Sequence, residues 1–290
     1  MTTSLTTDTT LLPGTIRLGP VTLQVADLAR SLGFYEGVLG LKLLAREAGR
    51  VYLGAQDGAP LVNLYERPGA RPVPRRGRLG LYHAALLLPD RSALGTFLRH
   101  LGASGVPVGM SDHLFSEALY LSDPDGLGLE MYADRPRELW PRVGGELVSD
   151  SLPLDVEGVL AAGSDASYRG MPAGTVVGHV HFYVTELSQA AAFYEQGLGF
   201  RPTLTSFPGA RFVSAGGYHH HVGLNTWAAG APLAEADDAR LLEWQLGLPS
   251  EAATGVAERL GAAGFTAETL PDGSLRAVDP WRTAVRLVSG

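Results

Sequence analysis

The sequence predicts an α+β fold built from four tandem β-α-β-β-β units, and three observations predict it. First, GPVTLQVADLARSLGFYEGVLGL from Gly19 returns without a gap as GHVHFYVTELSQAAAFYEQGLGF from Gly178. Asp27 falls on Glu186, Phe34 on Phe193, Tyr35 on Tyr194 and Gly40 on Gly199. A repeat this long marks one structural unit used more than once. Second, GLYHAALLLPDRSALGTFLRHLGASG from Gly80 resembles LLEWQLGLPSEAATGVAERLGAAG from Leu241. Each reads as a strand, a proline turn and a helix closed by glycine. Third, each unit closes in short alternating segments that read as strands. These are VYLGAQ and LVNLYE, EALYLSD and GLEMY, ARFVSAG and HHVGLNTW, then SLRAVD and AVRLVS.

The first unit spans 18–66. Its alternating strand leads to an acidic helix start at Asp27, an FYE core face and a stop at Gly40. GARPVPRRG, 69–77, reads as a linker. The second unit, 79–132, carries His83 on its opening strand and the turn Asp123-Pro124-Asp125-Gly126 before its last strand. The third unit spans 177–227 and the fourth 240–289. A frayed tail is expected over 1–14, an N-terminal domain over 15–133, a linker over 134–176 and a C-terminal domain over 177–290. The linker carries DRPRELW, an apolar-periodic piece around Leu152–Leu160, and GSDASYRGMPAG. A connection this long in a compact chain spans or covers something.

Composition narrows the chemistry. A net charge of −7 offers no basic surface for nucleic acid. No apolar run is long enough to span a bilayer, and MTTSLTTDTT lacks the basic flank and apolar core of a secretion signal. There is no cysteine, so disulfides, zinc-thiolate sites and a thiol nucleophile are excluded, which suits a reducing cytoplasm. Any metal is left to His, Asp, Glu or Tyr.

The four units, the FYE-x-x-LG helix and the closing DPDG-x-x-x-E strand resemble the vicinal oxygen chelate superfamily, which includes glyoxalase I, extradiol dioxygenases and bleomycin-resistance proteins. SDHLFSEALYLSDPDGLGLEMYADRPRELW and GGYHHHVGLNTW resemble its two-domain bacterial catechol 2,3-dioxygenase-like members. The resemblance covers nearly the whole chain apart from the tail and the linker. It implies units paired into cupped mixed-sheet barrels, one of them holding a divalent metal. Extradiol members use two histidines on opening strands and one glutamate on a closing strand, leaving positions for substrate and dioxygen.

On that pattern the first unit offers Pro20 and Asn63, neither a useful ligand. The second offers His83 and Glu130. The third offers His179, with His181 two positions on, and the triplet His219-His220-His221. The fourth has Glu243 in place of a histidine and Arg286 in place of the carboxylate. An arginine cannot ligate a metal. The full set, His83, His179 and Glu130, therefore exists only if units two and three share a site, within one chain or across a dimer. The alternative is His179, His221 and Glu243. By the same resemblance His113 and Tyr120 stand near the substrate, and the triplet supplies an acid/base histidine. Inward-facing positions favour His221 for that role, and alignment on the following VGL favours His220.

The implied activity is extradiol cleavage of a catechol or hydroquinone-like ring, with an aromatic diol and dioxygen as substrates and Fe(II) or Mn(II) as metal. A glyoxalase-type lyase or isomerase with Zn(II) or Ni(II) is the alternative, as is a non-catalytic binder of aromatic drugs. The family also implies a cytoplasmic homo-oligomer, most simply a dimer.

Overall fold

Asp27 opens the first helix by accepting a hydrogen bond from the Arg30 N–H at 2.8 Å, and Asp90 does the same for Ala93. Such caps satisfy amides that the helix itself leaves unpaired. At the repeat position Glu186 makes no such bond. The helix it begins is correspondingly brief and runs into a π-turn over Ala192–Gly197. Gly40 and Gly199 both stand at positive φ, +71° and +93°, where a side chain would be strained.

The computed structural model describes residues 11–289. Leu12, within the expected tail, is buried, and its N–H donates to the Gly199 carbonyl. Residues 1–10 of that tail lie outside the described residues.

Unit one is β1 (Arg17–Val25), α1 (Leu28–Tyr35), β2 (Lys42–Glu47), β3 (Arg50–Gly54) and β4 (Pro60–Glu66). Unit two is β5 (Gly80–Leu87), α2 (Arg91–Ser104), β6 (Gly109–Asp112), β7 (Ser116–Ser122) and β8 (Gly128–Asp134). The connection then forms a short hairpin, β9 (Arg142–Val143) and β10 (Glu146–Leu147), and a helix, α3 (Val156–Ala162). Unit three is β11 (Val176–Tyr183), α4 (Leu187–Ala191), β12 (Arg201–Leu204), β13 (Ala210–Ser214) and β14 (Val222–Asn225). Unit four is β15 (Arg240–Leu248), α5 (Ser250–Ala262), β16 (Ala267–Thr269), β17 (Leu275–Val278) and β18 (Ala284–Ser289).

Within each unit the opening strand lies parallel to the last one. Between units, β5 runs antiparallel to β11 and β1 antiparallel to β15. Unit two therefore shares a cup with unit three in the same chain, and unit one shares the other cup with unit four. The cups meet where β1 borders β11, giving one 16-stranded sheet. The FYE helices stitch the cups together. Tyr35 Oη donates to Asp123 Oδ2 at 3.1 Å, and Tyr194 Oη donates to Asp279 Oδ2 at 2.8 Å. All four side chains are buried, and each pair ties a helix of one cup to a turn of the other.

Candidate metal centre

The seam between β5 and β11 carries two bulges. Val177 pairs with Leu86 but His179 with Ala85, so Gly178 is extra. His181 pairs with His83 but Phe182 with Leu81, so Tyr82 is extra. A bulge re-aims neighbouring side chains. Tyr82 consequently lines the same cavity as His83, although alternation would send the two to opposite faces. Gly178 is required where it stands. A Cβ there would lie 1.8 Å from the Tyr132 hydroxyl, which is itself 2.7 Å from that of Tyr218.

Between the bulges, His83 from β5, His179 from β11 and Glu130 from β8 converge. His83 Nε2 lies 2.9 Å from Glu130 Oε2, His179 Nε2 lies 3.1 Å from it, and the two imidazole nitrogens are 3.3 Å apart. All three side chains are buried. Metal bonds of about 2.0–2.2 Å set at right angles hold their ligand atoms about 3.0 Å apart. The triangle seen here has that size. Burial alone would raise the Glu130 carboxyl, but His179 and His83 together hold it well below the ordinary range. Burial pushes His179 down to about 4 against the pull of Glu130. A carboxylate beside the neutral His179 imidazole is a donor state that suits a divalent metal.

The alternative triad does not assemble. β15 pairs with β1 and not with β11, so Glu243 faces Arg276 and Arg286 in the other cup. Nor does the histidine triplet lie on a strand. β14 begins only at Val222, after the positive-φ turn Gly216-Gly217, so inward-outward alternation does not apply to it. His220 lines the cavity and packs on His179, with ring centroids 4.1 Å apart. His221, the other expected acid/base, lies outside this wall. Its ring lies beside Phe200 and Tyr218, and its Nδ1 accepts from the Ala215 N–H at 3.2 Å. It is not among the cavity residues.

Two hydrogen-bonded chains reach the cavity. His113 Nδ1 lies 2.7 Å from the Asp150 carbonyl, which can only accept. In a neutral ring that leaves His113 Nε2 as the acceptor for the Tyr120 hydroxyl, 2.7 Å away. On the other side His219 Nε2–H donates to Asp134 Oδ1 at 2.9 Å. With a neutral His219 ring, its Nδ1 accepts from His220 Nδ1–H at 2.7 Å, which leaves a lone pair on His220 Nε2. His181 accepts from Asn225 Nδ2 at 3.0 Å. A Cβ at Gly223 would lie 2.7 Å from the His181 ring, so glycine is what makes room for it. His100, near the end of α2, is half-buried, stacked on Tyr168 and bonded to the Val38 carbonyl.

The cavity encloses about 670 Å³. Sequence reasoning missed much of its wall. Val73 to Arg78, taken for a plain linker, line it, as do Ser149 and Ser151 of the long connection. The local signal for the first was the arginine run, but only the fold shows that the run faces the site.

A family model described as Glyoxalase/Bleomycin resistance protein/Dioxygenase superfamily matches residues 17–131. A Bacillus subtilis (strain 168) protein named catechol-2,3-dioxygenase is 42% identical over 268 residues, covering 91% of this chain and 93% of that one. The chain belongs to this superfamily. Solved structures share its fold. A Bacillus subtilis subsp. subtilis str. 168 chain superposes with a TM-score of 0.67 at 15% identity, over 96% of this chain and 86% of that one. Glyoxalase I from Zea mays does so at 0.57 and 16%, over 95% and 92%. The superfamily's cupped sheet is thus present, and His83, His179 and Glu130, a group that could hold a metal ion, meet in one cup. No helix among the described residues is long and apolar enough to cross a membrane.

Proposed function

We propose that this chain is a metal-dependent extradiol dioxygenase that opens the ring of a catechol-type substrate with dioxygen. The observation that carries the reading is the buried triangle of His83, His179 and Glu130, drawn from two units, in a chain 42% identical to a catechol-2,3-dioxygenase. Two histidines and one carboxylate suit Fe(II) first and Mn(II) second. When bound, the metal supplies chelation of the two ring oxygens and an electron path from the ring to dioxygen. Both oxygen atoms enter the product as a ring carbon–carbon bond beside the diol breaks.

The protein's part is to place protons. Tyr120 gives its proton to His113, so toward the cavity it offers an oxygen lone pair that can accept from a phenolic hydroxyl. His220, with its Nε2 lone pair held by the Asp134–His219 chain, is placed to take the proton of the other phenolic hydroxyl and return it when the O–O bond breaks. The wall of Tyr82, Phe212 and Trp227 fits an aromatic ring. A glyoxalase-type site would want a fourth protein ligand on the last strand of unit three. That position is Gly223, covered by His181. The reading also carries a cytoplasmic location and a homodimer.

The test is metal content after anaerobic purification, followed by catechol and air. Wild type should hold about one Fe or Mn per chain and give a yellow ring-opened product. His83→Ala should do neither. A variant that keeps its metal moves the site elsewhere. A wild type that stays empty after Fe(II) reconstitution favours a drug-binding protein.

A further inference from the structure

Four guanidinium groups lie within eight positions, at Arg71, Arg75, Arg76 and Arg78. Two are neutralised. Arg71 bonds Asp237 and Asp238, and Arg78 bonds Asp238 at 2.7 Å. Arg75 and Arg76 make no salt bridge to any carboxylate among the described residues, and both line the cavity. Arg75 sits by the Tyr82 and Tyr183 hydroxyls. Arg76 is held at φ +60°, a strained conformation for a residue with a side chain.

The loop bearing them is fixed at both ends. Arg71 N–H donates to the Asp237 carbonyl, Val73 N–H to the Asp125 carbonyl and Leu79 N–H to the Pro232 carbonyl. A Cβ at Gly126 would meet the Val73 carbonyl at 2.0 Å, so the DPDG turn presses directly on the loop. The only carboxylate lining the cavity among the described residues is Glu130, already occupied by His83 and His179. A protein of net charge −7 thus keeps two cations without a carboxylate partner among the described residues on the wall of this cavity. Such a wall focuses field on an incoming anion.

The position of the cations relative to the site sets the shape of the ligand. His179, His181 and Tyr183 alternate along β11 and all line the cavity. Tyr183, beside Arg75, is four residues from His179 and so about 13 Å along the strand. The volume lies within the range of roughly 300–1,000 Å³ that holds drug-sized ligands, more than a bare catechol ring fills. We propose that Arg75 and Arg76 recognise a carboxylate on the substrate, so that the chain takes catechols whose ring carries an apolar arm ending in an acid. This rests on the dioxygenase reading for the diol end, and on the loop geometry alone for the acid end.

The test uses the full-length protein and a series of dihydroxyphenyl alkanoates of increasing arm length, each beside its uncharged methyl ester. Anaerobic binding is read from tryptophan fluorescence, and kcat/KM is measured in air. At one arm length wild type should prefer the acid over the ester by roughly tenfold, the scale of one or two charge-assisted hydrogen bonds. Arg75→Gln/Arg76→Gln should bring that ratio near one. Raising the salt on wild type should shrink it, because the arginines are exposed. A ratio near one in wild type at every arm length, or one that survives in the double variant, overturns the proposal. Tighter binding of the acid without turnover of any catechol supports the anion site and sinks the dioxygenase reading instead.

Discussion

Two adjacent histidines, His220 and His221, end in different surroundings because the chain from Gly217 to Val222 is irregular. The mechanism above gives His220 the acid/base role. Its replacement by alanine should lower kcat by roughly 10²–10⁴-fold, the usual contribution of general acid-base catalysis, with metal content unchanged. His221→Ala should leave kcat within a few-fold of wild type. Steady-state rates on metal-matched preparations of both variants decide the matter, and a reversed order would reassign the role. Gly178 makes a second prediction at this scale. Gly178→Ala forces a methyl group into the Tyr132 hydroxyl and should cost about 1–3 kcal/mol, the range for overpacking a tight interior. Denaturant midpoints of the two proteins measure it.

The repeat placed His83 and His179 on opening strands and Glu130 on a closing one, and the expectation that the three meet came from the family resemblance. The place of Tyr82 was not legible in the sequence. Its orientation comes from a bulge set by pairing with a strand about a third of the chain away, and nothing local encodes that. The same holds for Arg75 and Arg76, whose segment has the composition of any exposed loop.

At the scale of elements, the buried tyrosine–aspartate pairs hold helix to turn. Tyr35→Phe or Tyr194→Phe should each destabilise the protein by about 1.5–3 kcal/mol, the range for a hydrogen bond to a charged or ionisable partner. Burial pushes the Asp123 and Asp279 carboxyls up to about 7, although the neighbouring amides and tyrosines pull the other way. A folded pKa above the unfolded value means more protons bound when folded. The stability these groups lend is therefore full below the unfolded value, 3.8, and is lost as pH rises toward about 7. Asp123→Asn keeps one oxygen for the Asp125 and Leu127 amides and removes the titration. Its melting temperature should gain on that of wild type as pH climbs from about 4 to about 7, and a constant difference would contradict this account. The opening strands, helices and closing strand pairs could be read from periodicity. The strands β2, β6, β12 and β16 could not. They are short or exposed on both faces, as Lys42–Glu47 is, so no alternation marks them.

For the molecule as a whole, the cups are not the halves of the sequence. Each half contributes one unit to the cup that gathers His83, His179 and Glu130 and one to the other cup. Residues 1–133 and 177–290 expressed separately should each hold little metal, since the first carries His83 and Glu130 and the second His179. Mixed or co-expressed, they should recover part of it, and elemental analysis of purified halves and mixture tests this. Full loading of either half alone would mean that a different ligand set operates. The four-unit plan was visible in the sequence, but which units face each other was decided only by ligand arithmetic. Strand pairing at such separation depends on how whole sheets close, and no local pattern specifies it.

The seam between β5 and β11 also puts the site on a clock during synthesis. His83 and His179 stand 96 residues apart, so a ribosome adding about 5–20 residues per second needs roughly 5–20 s to pass from one to the other. Through that interval the emerging chain shows at most two of the three ligands. All three can meet only after the second unit and the whole connecting segment have been made, while Phe212, His220 and Trp227 of the cavity wall still follow. The order of the units along the chain thereby delays the three-ligand set until the third unit has begun to emerge.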